Sequence, residues 1–423
     1  MTKFRLAVIG AGPKGAAITT KAQLINEHHR EHHIEVVVYE KGDYASNWNG
    51  GGSYTDGEQE LCTPATRDLG FPYDATFGLN VQQEMQERYS WMAYLVGENK
   101  YSAWINQRRE RPTHADFAKY LALAIKESGA DCRTFTTVVN LRAERGRWIV
   151  TSQDREGKIS EDRGFDGVVI TGPGPAQKVT PGFSHEGLFD GEDVWTKLDD
   201  LKSRLDTIDE EIVIIGGGGT AAAIAAWMIR KGVHKPISFI SEQPTFYTRH
   251  GDYFENRVFD DEDMWLLLNE NQRRDFVGRT TRAVVWAAVS DQLAAANNLR
   301  LLPGRVISLA AAGEEFPELV EVKYRPSNNQ ETLAPLNCGV VVDASGFDKW
   351  WFKKLLPTKW QEKKSSYFEK QAAKMSKELV LPLSNLPPLH VPMVSWTQGP
   401  GFSSLMVLGR MADRILSKYV QPF

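Results

Sequence analysis

Twice along this chain the hydrophobic rhythm changes in the same order: a short β-branched run, a glycine turn, small and apolar residues at helical spacing, then a second β-rich run. The first copy predicts a strand over residues 4–9, a turn over 10–15, a helix over 16–26 and a strand over 34–40. The second predicts a strand over 212–215, glycines at 216–219, a helix over 220–231 and a strand over 237–240. Each copy is a βαβ unit. The expected fold class is therefore α/β, with two Rossmann-like dinucleotide-binding domains.

Two further apolar strands, at 167–174 and 339–343, end in Thr-Gly-Pro-Gly and Ala-Ser-Gly-Phe, turns that suit a crossing between domains. They suggest a discontinuous FAD-binding domain, 1–205 plus 335–423, interrupted by an NADPH-binding domain at 206–334. Residues 254–286 and 348–378 read as mostly helical and are expected to form a small substrate or lid region. Residues 212–229 carry no charge and approach the length of a membrane span. Four consecutive glycines inside them predict a strand, turn and helix instead. No internal repeat is visible.

A chain of 423 residues exceeds what one core usually serves. Apolar residues make up 42% and charged residues 25%, the balance of a folded globular protein. Lys plus Arg total 50 against 54 Asp plus Glu, a net charge of −4, so neither nucleic acid nor membrane is expected as partner and a small molecule is. Cys62, Cys132 and Cys338 lie far apart and no C-x-x-C occurs, which argues against a disulfide framework and a redox-active dithiol. A reducing, cytoplasmic compartment fits. Lys3 and Arg5 precede an apolar run too short for a signal peptide. His28, His29, His32 and His33 have zinc-compatible spacing, but a solvated connection is the better reading, and no metal is expected. Oligomeric state is left open, a homo-oligomer included.

Gly10-Ala11-Gly12-Pro13-Lys14-Gly15 has the G-x-G-x-x-G spacing: Gly10 for the tight turn, Gly12 for close approach of a pyrophosphate, Gly15 for helix–strand contact. Pro13 opens the helix whose N-terminus faces the phosphates. Glu40 ends the next strand, where a carboxylate accepts ribose hydroxyls. Gly216-Gly217-Gly218-Gly219-Thr220-Ala221 satisfies G-x-G-x-x-A by the same physics, with Gly216, Gly218, Gly219, Thr220 and Ala221 as nucleotide contacts. NADPH needs a cation for its 2′-phosphate; Arg230, Lys231 and Arg249 are candidates, and Glu242 is an unhelpful neighbour. Trp48 either walls the flavin ring or packs in the core.

Scattered runs then carry a resemblance over nearly the whole chain: Asn47-Trp48 with Tyr54-Thr55-Asp56-Gly57, Arg67-Asp68-Leu69-Gly70-Phe71-Pro72-Tyr73, Arg88-Tyr89-Ser90-Trp91, Thr248-Arg249, Phe254-Glu255-Asn256, Arg273-Arg274-Asp275 and Thr397-Gln398-Gly399-Pro400-Gly401-Phe402. The sequence resembles the siderophore N-hydroxylating flavin monooxygenases, the lysine and ornithine N-monooxygenases, of class B architecture. That resemblance implies FAD reduced by NADPH, O2 as co-substrate, a C4a-hydroperoxyflavin, and transfer of oxygen to a neutral side-chain amine.

It further implies that Asn256 holds the substrate amino acid and that Arg67, where the family usually has lysine, meets its carboxylate. Thr281 falls where ornithine enzymes have an asparagine, and with Asn256 carries the catalytic role. Met406 stands near a family substrate serine, and Ser403, Ser404 and Leu405 are cofactor contacts. L-lysine is the expected substrate; ornithine, a diamine or another amine are alternatives. A Baeyer–Villiger or sulfur monooxygenase is disfavoured because residues 172–211 lack the F-x-G-x-x-x-H-x-x-x-W fingerprint. A non-catalytic flavoprotein is disfavoured by the intact loops.

Overall fold

A computed structural model describes residues 2–29, 31–51, 54–281, 284–328 and 335–422. Gly52 of the glycine run after Trp48, and the boundary expected at residue 334, lie outside them.

The first βαβ unit is β1 (Thr2–Ile9), α1 (Pro13–His28) and β2 (His32–Tyr39). Then come α2 (His114–Glu127), β3 (Asp131–Arg133), β4 (Thr136–Glu144), β5 (Arg147–Asp154), β6 (Ile159–Phe165) and β7 (Gly167–Ile170). After β8 (Leu188–Asp190), the second βαβ unit is β9 (Ile212–Ile215), α3 (Gly219–Arg230) and β10 (Ile237–Ser241). Residues 247–286 form β11 (Tyr247–Arg249), α4 (Tyr253–Asp260), α5 (Glu262–Leu267), α6 (Glu270–Thr280) and β12 (Val284–Trp286). The chain continues through β13 (Leu299–Ala311), β14 (Val320–Pro326), β15 (Leu336–Cys338) and β16 (Val340–Asp343), and closes with β17 (Leu389–His390) and α7 (Leu408–Leu416).

Two compact units result: residues 1–174, 253–273 and 349–423, and residues 175–252 and 274–348. The first holds a parallel sheet of order β17-β7-β1-β2-β3. The chain leaves β1 towards β2 on one side and returns at β7 on the other. Strand order thus reverses at β1, which places a crevice at the carboxyl ends of β1 and β7. Leu6, Val8, Val37, Val38, Val168 and Val169 are buried there, as strands covered on both faces require. An antiparallel sheet β4-β5-β6 belongs to the same unit.

The second unit repeats the plan with order β15-β14-β13-β10-β9-β16-β8, parallel from β13 to β8 and antiparallel at β14 and β15. Strand order reverses at β9. Ile212 and Ile214 pack into one core, Val213 and Ile215 into another, because successive side chains leave opposite faces.

The division differs from the expected one. Residues 175–205 and 335–348 lie in the second unit because β8 pairs with β16 and β16 with β9. Residues 253–273 lie in the first unit. The run expected to be helical over 254–286 ends in β12, which pairs in parallel with β11. Residues 212–229 form a strand, loop and helix, and among the described residues no helix is long and apolar enough to cross a membrane. His28 meets Glu84 at 2.7 Å and His29 meets the Phe77 carbonyl at 3.0 Å, so each bonds to its own partner at the end of α1.

Candidate active site

The first loop leaves β1 at the reversal of strand order. Gly10 has φ +113°, and a Cβ there would stand 2.3 Å from Thr171 Oγ1, at the end of β7. At Gly15 a Cβ would stand 2.3 Å from the Gly10 carbonyl, so these two glycines are fixed by packing. Gly12 differs. A Cβ there would have only Trp48 Nε1 near it, at 3.9 Å, which leaves the main chain open to an incoming phosphate. Gly12 is also the N-cap of α1, with no side-chain cap and no acid in the first turn. Glu40 is buried; its Oε2 accepts from Ala11 N at 2.8 Å and its Oε1 from Gly42 N at 3.0 Å. Each oxygen keeps a lone pair for a ribose hydroxyl. These residues fit a dinucleotide's diphosphate and ribose.

Trp48 packs edge-on against His114 (4.9 Å) and Phe117 (5.9 Å) while its indole nitrogen borders Gly12. His114 bonds Thr55 Oγ1 at 3.0 Å, and burial pulls its imidazole down to about 4, so it is neutral at physiological pH. The runs 67–73 and 88–91 are tied together by Asp68, which accepts from Tyr73 Oη at 2.7 Å and Trp91 N at 2.8 Å. Burial pushes its carboxyl up to about 6.

Ser403 and Ser404, expected from the other end of the chain, reach this loop. Lys14 Nζ donates to their carbonyls at 3.3 and 3.4 Å. Leu405 is half-buried beside them, packed against the first unit's core. Further along α1, Lys21 pairs with Asp413 of α7 at 2.8 Å, both side chains buried. Lys14 and Lys21 therefore meet the closing segment in the same order, and α1 and α7 run in the same direction. Sequence reading passed over Lys14 because burial cannot be seen inside a fingerprint.

In the second unit Gly216 has φ +123°, and a Cβ there would stand 2.5 Å from the Ala344 carbonyl at the end of β16, the counterpart of Gly10 against Thr171. Gly218 caps α3, Gly219 and Thr220 open it, and Ala221 is buried in the core. Beside the loop lies a cleft of about 1130 Å³ bordered by Gly216, Gly217, Ser241, Glu242, Arg305 and Arg325. Arg305 and Arg325 stand directly opposite each other across β13 and β14, a like-charge pairing that costs stability unless an anion joins it. Arg305 Nε lies 3.8 Å from Glu242.

These two arginines stand apart from the cations read from sequence. Arg230 and Lys231 lie at the far end of α3, about 16 Å from Gly219 at 1.5 Å per residue. Arg249 is buried with its guanidinium 4.6 Å from the Trp286 ring. No motif marks Arg305 and Arg325, because only the strand register brings them together.

Of the expected substrate residues, Arg67, Asn256 and Met406 belong to the first unit. Arg67 grips Asp260 with two bonds, 2.8 and 3.1 Å, donates to the Met406 carbonyl at 3.0 Å and covers the Phe71 ring. A guanidinium has five N–H groups, so Nε–H and one Nη2–H remain. Asp260 lies one turn after Asn256 on α4, which places both on one helix face. Met406 is buried and presents its main chain. Thr281, in the second unit, donates its hydroxyl to Val277 O at 2.9 Å and keeps its oxygen as acceptor.

Two parallel sheets, each with a glycine-capped helix where strand order reverses, define two Rossmann-like dinucleotide-binding units. A family model described as L-lysine 6-monooxygenase/L-ornithine 5-monooxygenase matches residues 80–348. The chain is 32% identical to L-lysine N6-monooxygenase MbtG of Mycolicibacterium paratuberculosis (strain ATCC BAA-968 / K-10), over 99% of this chain and 96% of that protein. It is likewise 32% identical to the protein of that name from Mycobacterium tuberculosis (strain ATCC 25618 / H37Rv), over 97% and 94%. The solved structure of lysine monooxygenase NbtG from Nocardia farcinica superposes with a TM-score of 0.78 at 28% identity, covering 97% of this chain and 98% of that one. The Kutzneria sp. 744 ornithine N-hydroxylase KtzI, at 18% identity and TM-score 0.75 over 98% of both chains, shares the fold. The chain belongs to the L-lysine 6-monooxygenase/L-ornithine 5-monooxygenase family and is an enzyme of that type.

Proposed function

We propose that this enzyme hydroxylates the side-chain amine of L-lysine with NADPH and O2, for siderophore or related hydroxamate synthesis in the cytoplasm. FAD is held by the first unit and the pyridine nucleotide by the second. The reading is carried by 32% identity over nearly the whole chain to relatives named for that reaction. When bound, the flavin relays electrons from the nicotinamide to oxygen and delivers one oxygen atom to the amine nitrogen.

The chain's own residues bind and orient. The open main chain at Gly12 and the N-terminus of α1 receive the FAD diphosphate, and Glu40 the ribose. In the second unit Gly218 and α3 take the other diphosphate. Arg305 and Arg325 take the 2′-phosphate, with Arg305 turning from Glu242 to it. Asn256 orients the lysine. The remaining edge of Arg67 donates to the α-carboxylate. The reacting amine must be neutral, and a half-buried setting such as that of Asn256 disfavours its charged form.

One observation favours a second reading: Asp260 already closes the end of Arg67 that best fits a carboxylate, which suits a diamine lacking one. Mass spectrometry over L-lysine, L-ornithine and cadaverine separates the two. We expect lysine to gain one oxygen at the side-chain nitrogen, and Arg67→Ala to lose at least tenfold more kcat/KM with lysine than with cadaverine. Hydroxylation of cadaverine alone would favour the diamine; NADPH oxidation yielding only hydrogen peroxide with every amine would sink both readings.

A further inference from the structure

We propose that the Lys14 ammonium is the counter-cation of the FAD diphosphate, a role that rests on the flavin reading above. Lys14 is the second residue of a sixteen-residue helix, inside the fingerprint, and its residue surface is only 7% exposed. Its hydrogen-bond partners are two main-chain carbonyls at 3.3 and 3.4 Å, long for a charged donor. Among the described residues no carboxylate pairs with it.

Lys21, two turns further along the same helix and equally buried, supplies the control. The fold gives it Asp413 at 2.8 Å. A buried cation is normally paired, since leaving one alone costs several kcal/mol. Lys14 instead lies in the first turn of α1, whose partial positive charge makes its situation worse. Gly12, the N-cap of α1 and two residues before Lys14, is the one glycine of the loop whose main chain is open. A doubly charged diphosphate there answers both the cation and the helix N-terminus. No other charged group on the surrounding elements does so: Glu40 is held by amides of Ala11 and Gly42, Arg410 pairs with Asp74, and His114 is neutral. Glu84 and Arg88 meet α1 at its other end, through His28 and Glu27.

A pH signature follows. Burial lowers the flavin-free Lys14 to about 8. The diphosphate favours the protonated form, so its binding raises that value. Affinity is therefore complete below pH 8 and falls by up to tenfold per pH unit above it, until the holo value is reached.

The test titrates deflavinated full-length protein with FAD, read by quenching of flavin fluorescence, from pH 7 to 9.5. For wild type we expect the fall above pH 8. For Lys14→Met we expect binding 10- to 100-fold weaker at pH 7 with no such fall, and for Lys14→Arg tight binding without it. Flavin reduction potential is expected to be unchanged in the loaded Met variant. A Met variant within twofold of wild type, or keeping the wild-type pH profile, overturns the proposal; so does a shifted potential at unchanged affinity, which moves the charge to the flavin ring. If the Met variant does not fold, wild type against Lys14→Arg decides, and matching pH profiles overturn it. Wild type that takes up no FAD at all sinks the flavin reading instead.

Discussion

Where the first glycine loop carries Lys14, the second carries Thr220 at the equivalent place, and where the second has two arginines on an open cleft, the first has its cation sealed beneath the main chain. Both loops put a positive-φ glycine against the strand across the order reversal, and both cap a helix with glycine. Backbone geometry is thus shared, and charge placement separates them. A cation buried without a carboxylate suits an anion that stays. Exposed cations, one of them shared with Glu242, suit an anion that comes and goes. The two loops differ in how deeply their cations are set, not in their glycine pattern.

The largest effect expected from this contrast is at Asp413. Asp413→Asn leaves Lys21 buried without its partner, and urea unfolding should show a loss of about 3–5 kcal/mol. Arg305→Ala, with its side chain in solvent, should stay within about 0.5 kcal/mol of wild type. Equal losses would erase the distinction between sealed and open charge.

Next come the glycines. Gly15→Ala sets a Cβ 2.3 Å from a carbonyl oxygen and is expected to cost about 3 kcal/mol and most of the flavin retained on purification. Gly219→Ala meets only ordinary contact, 3.5 Å from the Val284 carbonyl, and should change stability by less than about 1 kcal/mol. A Gly15→Ala protein that keeps its flavin and its stability would show that the first loop yields where the structure says it cannot.

The smallest effect concerns the cleft. Arg305→Ala with Arg325→Ala should weaken NADPH binding by about 10- to 100-fold, or 1.4–2.8 kcal/mol, and leave NADH binding within twofold. Calorimetry with both nucleotides reads this directly. If NADH suffers equally, the arginines serve something other than the 2′-phosphate.

Local rhythm made much of this architecture legible. Residues 212–215 form β9 as expected, and the helix expected at 220–231 is α3, Gly219–Arg230. Both rest on adjacent residues. What sequence did not show depends on residues brought together from afar. The antiparallel pairs β4–β5 and β13–β14 carry bulges between Val138 and Asn140 and between Val306 and Ser308, which break the alternation that would have marked them. Arg67 and Asp260 are 193 residues apart, so a guanidinium assigned to a ligand's carboxylate turns out to hold one already. Burial was the other hidden quantity: Lys14 looks like any surface lysine until the 403–404 segment covers it.

That covering segment has a consequence for how the protein folds. Lys14 is separated along the chain by 389 and 390 residues from the two carbonyls it meets, and Lys21 is as remote from Asp413. Until these distant segments meet, α1 carries two lysines unanswered. Removal of residues 403–413 would leave both lysines without the partners the fold gives them.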